Sequence, residues 1–384
     1  MRILADSNII FVEEAFSDFG AMTIAEGREI SPAQVKNADI LLVRSVTKVN
    51  ESLLAGSLVK FVANATTGTD HIDLRFLRDH SIGFVNAPGS NANSVAEYVV
   101  AALVRLSAVT GKRLENLTLG IVGVGNIGSR VLSLGRALGM NCLLCDPPKK
   151  ASTGSDIYLP LQSVLKESDI VTLHVPLVAT GPSATHRMVN ADFLSSMKRG
   201  ASLINTSRGD ILDEQALRDH RRHLGFLVLD VWNNEPRPDP RTVALCDLAT
   251  PHIAGYSWDG KVRGTEMIYT GACSYFFKQE KWRAPTAGAQ PRPLVPGNAA
   301  HSIAEAVNHA YPILEDDALF RKIVSIDPAK RGEFFDEMRT DYPKRFEFCN
   351  YSVVAGDAMP AAVVSVLESL GFRITTPAQV APED

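Results

Sequence analysis

Thr118-Leu119-Gly120-Ile121-Val122-Gly123-Val124-Gly125-Asn126-Ile127-Gly128 decides how the middle of the chain folds. A short apolar run of strand character feeds directly into G-x-G-x-x-G, and residues 127–138 carry the apolar spacing of a helix. In such a strand–turn–helix, Gly123 permits the tight turn, Gly125 lets the backbone approach a pyrophosphate, and Gly128 allows close helix packing. Asn126 and Ile127 open the helix, whose free N–H groups and partial positive charge suit that phosphate. The next strand, expected over 141–145, ends at Asp146. An acid there accepts hydrogen bonds from ribose hydroxyls and repels a 2′-phosphate, so the expected cofactor is NAD rather than NADP.

Outward from this turn, strands are expected at 118–122, 141–145, 170–173, 201–205 and 226–231, separated by helical stretches. Upstream, a second alternating series has strands at 3–5, 40–43, 61–63 and 83–85 and a helix at 12–19. Ser31-Pro32 reads as an N-cap with proline at the first helical position. Strand–helix alternation predicts parallel sheets covered on both faces, an α/β class with two doubly wound units. A long helix at 93–110 joins them and predicts a cleft at their junction. Residues 284–296, with four prolines, read as a linker. Beyond it, a strand at 345–354, a helix at 359–370 and a strand at 372–375 form a small α+β module of the kind that packs on another subunit.

Composition narrows the function class. The 39 Lys+Arg against 43 Asp+Glu provide no concentrated positive field, which speaks against nucleic acid or an anionic membrane as partner. The amino terminus has no signal-peptide pattern, and no uncharged apolar run reaches the roughly 18 residues of a membrane span. Cytoplasmic placement is the expectation. The five cysteines include one close pair, Cys142 and Cys145, which reads as two positions on one strand rather than a redox or metal pair. No metal set is expected.

Three residues after the later strands of the middle unit carry the chemistry: Arg208 in Asn205-Thr206-Ser207-Arg208-Gly209, Glu235 in Trp232-Asn233-Asn234-Glu235-Pro236, and His252 in Thr250-Pro251-His252. Residues just past the carboxyl ends of parallel strands converge on a ligand crevice. Moving a hydride from a hydroxyl-bearing carbon requires removal of the hydroxyl proton, which a histidine accepts near neutral pH. A carboxylate on the other ring nitrogen fixes the tautomer, and a guanidinium forks onto a substrate carboxylate. Taken singly each residue has a plainer reading: a surface ion pair, a loop acid before proline, a core histidine. In this order, downstream of a dinucleotide turn, they point to an NAD-dependent dehydrogenase of a 2-hydroxy acid. The other eight histidines read as structural or exposed.

These stretches, with Gly68-Thr69-Asp70-His71-Ile72-Asp73, resemble the D-isomer-specific 2-hydroxy-acid dehydrogenase family. The resemblance implies a flavodoxin-like substrate domain at 1–92 and 259–285 and a Rossmann NAD domain at 93–258. It also implies that Ser207, Asp230 and Gly255 lie at the cofactor. Val43-Arg44-Ser45-Val46-Thr47, Ala65-Thr66-Thr67-Gly68 and Gly255-Tyr256 resemble one branch of the family more narrowly, the branch that oxidises 4-phospho-D-erythronate on the route to pyridoxal 5′-phosphate. That branch implies substrate contacts at Ser45, Thr66 and Tyr256 and a C-terminal homodimerisation domain, here 286–384. Arg44 and Ser45 also offer a cation and a hydroxyl to a phosphate. Asn233-Asn234, Val175 and Thr67 depart from the branch's usual residues. Two alternatives stay open: another substrate such as 3-phosphoglycerate, and an NAD(H)-binding sensor or corepressor on the same fold. Lys344 and Arg345 read as a solvated charge pair.

Overall fold

The computed structural model describes residues 1–285, 293–297, 301–356 and 358–377. The chain divides into two compact units, Met1–Asn91 with Ser257–Gly288, and Ala92–Tyr256 with Ala289–Asp384.

The first unit is a five-stranded parallel sheet of β1 (Arg2–Asp6), β2 (Ala21–Ala25), β3 (Ile40–Val43), β4 (Phe61–Asn64) and β5 (Gly83–Asn86) in the order β2-β1-β3-β4-β5. The central strands β3 and β4 are buried at every residue, as an apolar run covered on both faces must be. On one face Phe16 packs edge-on against Tyr269 of the helix Trp258–Tyr275, with ring centroids 5.9 Å apart. The other face is closed by Val35, Leu53, Leu54 and Leu77 from three short helices. Ser31 caps one of these with Pro32 following, its N–H donating to Gln34 Oε1 at 2.9 Å. The edge strand β2, Ala21-Met22-Thr23-Ile24-Ala25, is not among the expected strands, and its residues are largely exposed.

The second unit centres on a six-stranded parallel sheet: β6 (Thr118–Val122), β7 (Asn141–Cys145), β8 (Ile170–Leu173), β9 (Ser202–Asn205), β10 (Leu227–Leu229) and β11 (Leu248–Ala249), ordered β11-β10-β9-β8-β6-β7. The final residues of β6, β8, β9, β10 and β11 pair in succession, Val122 with Leu173, Leu173 with Asn205, Asn205 with Leu229, and Leu229 with Ala249. Five strand ends therefore lie flush along one edge. Helix Ala92–Thr110 is the one described helix long and apolar enough to cross a membrane, yet it lies mostly buried in the core of this unit. Cys142 and Cys145 sit on β7 as free thiols, and burial pushes Cys145 up to about 11, a poor thiolate former.

The C-terminal region packs on this sheet rather than standing apart. Val307, Tyr311 and Phe348 join the core formed by Tyr98, Val99 and Leu103, while Phe320, Ile323 and Phe335 join Trp232 and Val243 on the opposite face. Each such apolar side chain contributes roughly 1.5–3 kcal/mol on burial. β12 (Ser352–Val354) and β13 (Arg373–Thr375) pair in parallel across the helix Ala361–Leu370, and Leu294 bridges to Val353. The strand expected over 345–354 forms only in its last three residues. Before it, Phe348–Asn350 is a 3-10 turn, and the Phe348 N–H donates to the Glu97 carboxylate at 2.8 Å instead of to a neighbouring strand. Of the linker expected at 284–296, residues 286–292 lie outside the described residues.

Candidate active site

The glycine turn follows β6, and Gly123 holds φ +87°, the left-handed region. A Cβ on Gly128 would collide with the Gly123 carbonyl, whereas one on Gly125 would meet nothing within 4 Å. The turn thus packs tightly at its third glycine and stays open at its second, which is the shape a pyrophosphate needs. Asn126 and Ile127 begin the helix Asn126–Ala137 beside it. An open depression of about 550 Å³ is lined there by Gly125, Asn126, Ser129, Arg130, Ser133 and Lys149.

Asp146, at the end of β7, accepts the Val124 N–H at 2.8 Å and the Lys149 N–H at 3.0 Å. It holds the glycine turn and caps the next helix, and each carboxylate oxygen keeps a further lone pair for a ribose hydroxyl. Lys149 Nζ donates to the Val124 carbonyl at 2.5 Å. Arg130 and Lys149 escaped the sequence reading. The signal for Lys149 was the Asp146-Pro147-Pro148 helix start, which places it one turn from the phosphate loop.

Past β8, His174 sits between the Thr172 and Thr206 hydroxyls at 3.0 and 3.4 Å, and burial lowers its pKa to about 3, so the ring is neutral. Past β9, Ser207 Oγ donates to the Leu173 carbonyl at 2.6 Å, locking adjacent strand ends together. Arg208 follows, half-buried, with Nη1 donating to its neighbour's carbonyl at 2.7 Å.

Asp230, past β10, has no exposed surface. Its carboxylate accepts from Thr250 Oγ1 at 2.7 Å, Ile253 N–H at 2.8 Å and Ala254 N–H at 3.0 Å. Burial raises its pKa, opposed by His252 and these donors. What Asp230 visibly does is fasten the loop after β11, which carries His252 at φ +59° and then Gly255. A non-glycine residue there costs on the order of 1–3 kcal/mol, and the three bonds to Asp230 hold it.

Glu235 and His252 meet. Glu235 Oε2 lies 2.8 Å from His252 Nδ1, and Oε1 accepts the Trp232 N–H at 2.9 Å. Trp232 Nε1 in turn donates to the Thr250 carbonyl at 2.9 Å, tying the two loops together. Burial pushes the Glu235 pKa up, but the charge and hydrogen bond of His252, the cation of Arg339 and the Trp232 N–H outweigh it, and the net displacement is downward. An ionised Glu235 accepts Nδ1–H and leaves Nε2 as the proton acceptor.

Tyr256, next in the loop, lies edge-on to Tyr342, with ring centroids 5.8 Å apart, and its carbonyl accepts Arg345 Nε at 3.1 Å. Arg345 is therefore not the solvated charge its sequence suggests. It is 6 % exposed, its Nη1 lies 3.0 Å from Glu97 Oε2, and its guanidinium stacks 4.1 Å from the Tyr311 ring centroid. Lys344 alone stays exposed. Glu97 was also missed. Its signal was a single acid in an otherwise apolar helix.

In the first unit, Arg44 and Ser45 follow β3 and Thr66 follows β4, neighbouring strands with Val43 paired to Asn64. Arg44 is half-buried and its charge acts on Asp6 at the end of β1, where burial nonetheless raises the acid's pKa. Ser45 is exposed, and Thr66 Oγ1 donates to Asn64 Oδ1 at 2.8 Å. The three expected substrate contacts of this unit thus share one sheet edge.

Residues 90–254 match the model of the family described as D-isomer specific 2-hydroxyacid dehydrogenase, NAD binding domain, and residues 295–371 match a domain of unknown function. The erythronate-4-phosphate dehydrogenase of Salinibacter ruber is 46 % identical, with 94 % of this chain and 95 % of that one aligned. That of Chromohalobacter salexigens is 40 % identical over 97 % of this chain and 99 % of its own. Among solved structures, the D-lactate dehydrogenase of Aquifex aeolicus complexed with NAD and lactic acid is 28 % identical, with a TM-score of 0.62 over 72 % of this chain and 96 % of that one. The NAD-bound 3-phosphoglycerate dehydrogenase of Entamoeba histolytica shares the fold at 24 % identity, with a TM-score of 0.62 over 72 % of this chain and 95 % of its own. Near-complete coverage by relatives of one kind, joined to the dinucleotide turn and the Glu235–His252 pair, leads to one conclusion: this chain belongs to the erythronate-4-phosphate dehydrogenase family, within the D-isomer specific 2-hydroxyacid dehydrogenases.

Proposed function

We propose that the chain oxidises 4-phospho-D-erythronate to (R)-3-hydroxy-2-oxo-4-phosphooxybutanoate with NAD, a step toward pyridoxal 5′-phosphate. The observation that carries the reaction class is the 2.8 Å contact of Glu235 with His252 Nδ1, which frees Nε2 for the substrate hydroxyl. The choice of substrate rests on the full-length relatives and their name.

The residues fit a dinucleotide. Gly125 leaves open space, Gly123 and Gly128 shape the turn, and Asn126 and Ile127 present the helix start, with Asp146 for the ribose. Ser207, Asp230 and Gly255 serve the nicotinamide end, Asp230 by fixing the loop. When bound, NAD supplies the hydride acceptor. The protein's part is proton and charge handling. His252 Nε2 takes the hydroxyl proton, Glu235 keeps the tautomer and stabilises the imidazolium, and Arg208 pairs with the substrate carboxylate. Arg44, Ser45 and Thr66 serve the phosphorylated remainder, consistent with the shared edge of β3 and β4, and Tyr256 is a further substrate contact by family resemblance.

We further propose a substrate domain at 1–92 and 259–285, an NAD domain at 93–258, and homodimerisation through 286–384. Leu314, Leu319 and Val324 are exposed there, 41–43 % each, and offer apolar surface to a second copy. Five free thiols suit a reducing cytoplasm.

NADH formation with 4-phosphoerythronate, 3-phosphoglycerate and D-lactate tests the reading. The phosphorylated four-carbon acid should give the highest kcat/KM. Faster turnover of 3-phosphoglycerate would overturn the substrate, and NADH binding with no turnover of any acid would make the chain a sensor. Light scattering on a sizing column checks the dimer.

A further inference from the structure

The C-terminal helix Arg331–Thr340 packs on the residues that follow Glu235 and carries Arg339 to Tyr256. Gly332 opens this helix where a Cβ would lie 3.3 Å from Arg237 and 3.5 Å from Pro236, so the helix docks on the segment that follows Glu235. Phe335 anchors it in the core, edge-on to Phe320 with ring centroids 5.9 Å apart. One turn on, the Arg339 guanidinium lies 5.5 Å from the ring centroid of Tyr256 and 5.7 Å from that of Phe335. Its Nε is sealed from water and has no hydrogen-bond partner among the described residues. Burying a cation with part of its donor capacity unmet is costly, so this is a poor arrangement for stability alone.

We infer that Arg339 is a positioning residue for catalysis: its cation, delivered by the C-terminal region beside Tyr256, stabilises the ionised Glu235 that orients His252. The inference rests on the proposed role of that pair. Glu235 meets His252, the Trp232 N–H and the Arg339 charge, and Asp230 interacts with His252. Arg339 itself faces Glu235, Tyr256 and Asp336. Beyond Tyr256 lie Tyr342 and Asp316, the phenol donating to the acid at 2.9 Å. Arg339 is thus a cation that acts on Glu235 from outside the pair. Glu235 belongs to the segment 90–254 matched by the dehydrogenase family, whereas Arg339 belongs to the separate segment 295–371. The C-terminal region thereby contributes to the chemistry as well as to the fold.

The test compares Arg339→Met, Arg339→Lys and wild type in NADH formation from pH 5 to 9, with urea unfolding and NADH binding as controls. Removing the cation lets Glu235 take its proton at higher pH. The acid limb of kcat in Arg339→Met should therefore move up by about one pH unit, and Arg339→Lys should restore it. KM and NADH binding should stay within about twofold of wild type, a factor worth under ~0.5 kcal/mol. An unmoved acid limb with a uniform loss of rate would show a structural role only and overturn the inference. So would a tenfold rise in KM alone, which would make Arg339 a substrate contact. If Arg339→Met does not fold, Arg339→Gln carries the same reading with a neutral polar side chain. If wild type turns over a different 2-hydroxy acid, the substrate reading fails and the pH comparison is made with that acid.

Discussion

Replacing Glu235 with glutamine isolates what a carboxylate does beside His252. The wild-type side chain accepts twice, from Trp232 N–H at 2.9 Å and from His252 Nδ1 at 2.8 Å, and a carboxylate has acceptors for both. An amide has one oxygen and one NH2. If the oxygen faces Trp232, the NH2 faces Nδ1, which must then accept. The imidazole proton moves to Nε2, the atom that has to take the substrate hydroxyl proton. If the oxygen faces Nδ1, two donors meet at Trp232 and a buried N–H loses its partner, at about 1–3 kcal/mol. The first arrangement is cheaper, so the variant folds with the wrong tautomer. General-base assistance of roughly 10²–10⁴ should be lost, equivalent to ~3–5 kcal/mol in the barrier. The assay is steady-state NADH formation at saturating NAD, with urea unfolding alongside. The expected result is a kcat lower by about 10²–10⁴, stability within ~1–2 kcal/mol of wild type, and little change in NAD affinity. A kcat within threefold of wild type would refute the tautomer argument. A collapse of stability with proportionate loss of activity would show Glu235 to be a strut for the Trp232 loop.

Gly128→Ala should raise the KM for NAD on the order of tenfold or more, since a Cβ there collides with the Gly123 carbonyl and displaces the phosphate turn; NADH titration by fluorescence checks this. Arg345→Met should cost about 1–3 kcal/mol in urea unfolding, since Glu97, whose carboxyl burial already pushes up to about 8, loses its cation and takes up a proton, and adding Glu97→Gln should recover part of the loss. Asp316 has its pKa raised to about 7, burial being the main cause and the Tyr342 hydroxyl opposing it. Between its ordinary 3.8 and about 7 the folded protein holds a proton that the unfolded chain has released, so this group's contribution falls as pH rises. Asp316→Asn should therefore raise Tm by a few °C at pH 8 and leave it nearly unchanged at pH 4, as differential scanning calorimetry would show.

Legibility from sequence follows how local the deciding physics is. β6 and its glycine turn were legible because an apolar strand run and the three glycines of the turn, Gly123, Gly125 and Gly128, fall within eleven consecutive residues, 118–128. The catalytic candidates were named for a different reason. Parallel strands of one sheet end on one edge, so Ser207-Arg208, Asp230, Glu235 and His252, each a few residues past a strand, had to share it. β2 and β11 were not legible, one being an exposed edge strand and the other only two residues long. The C-terminal region was the least legible. Arg331-Gly332-Glu333-Phe334-Phe335-Asp336-Glu337-Met338-Arg339 has the charge density of a solvated helix. Nothing local reveals that Phe335 is fully buried or that Arg339 lies against Tyr256. Arg345 misleads in the same way. Its carboxylate partner, Glu97, lies 248 positions away, and the pair becomes visible only in the fold. In both cases a charge that reads as solvated is placed by a long-range contact, and it lands on or beside the loop carrying Tyr256. A sequence pattern that reports periodicity registers the helix but carries no information on what its charges face. The candidate residues of the core dehydrogenase segment could therefore be named from the chain, whereas the contacts made by its C-terminal region could be read only from the fold.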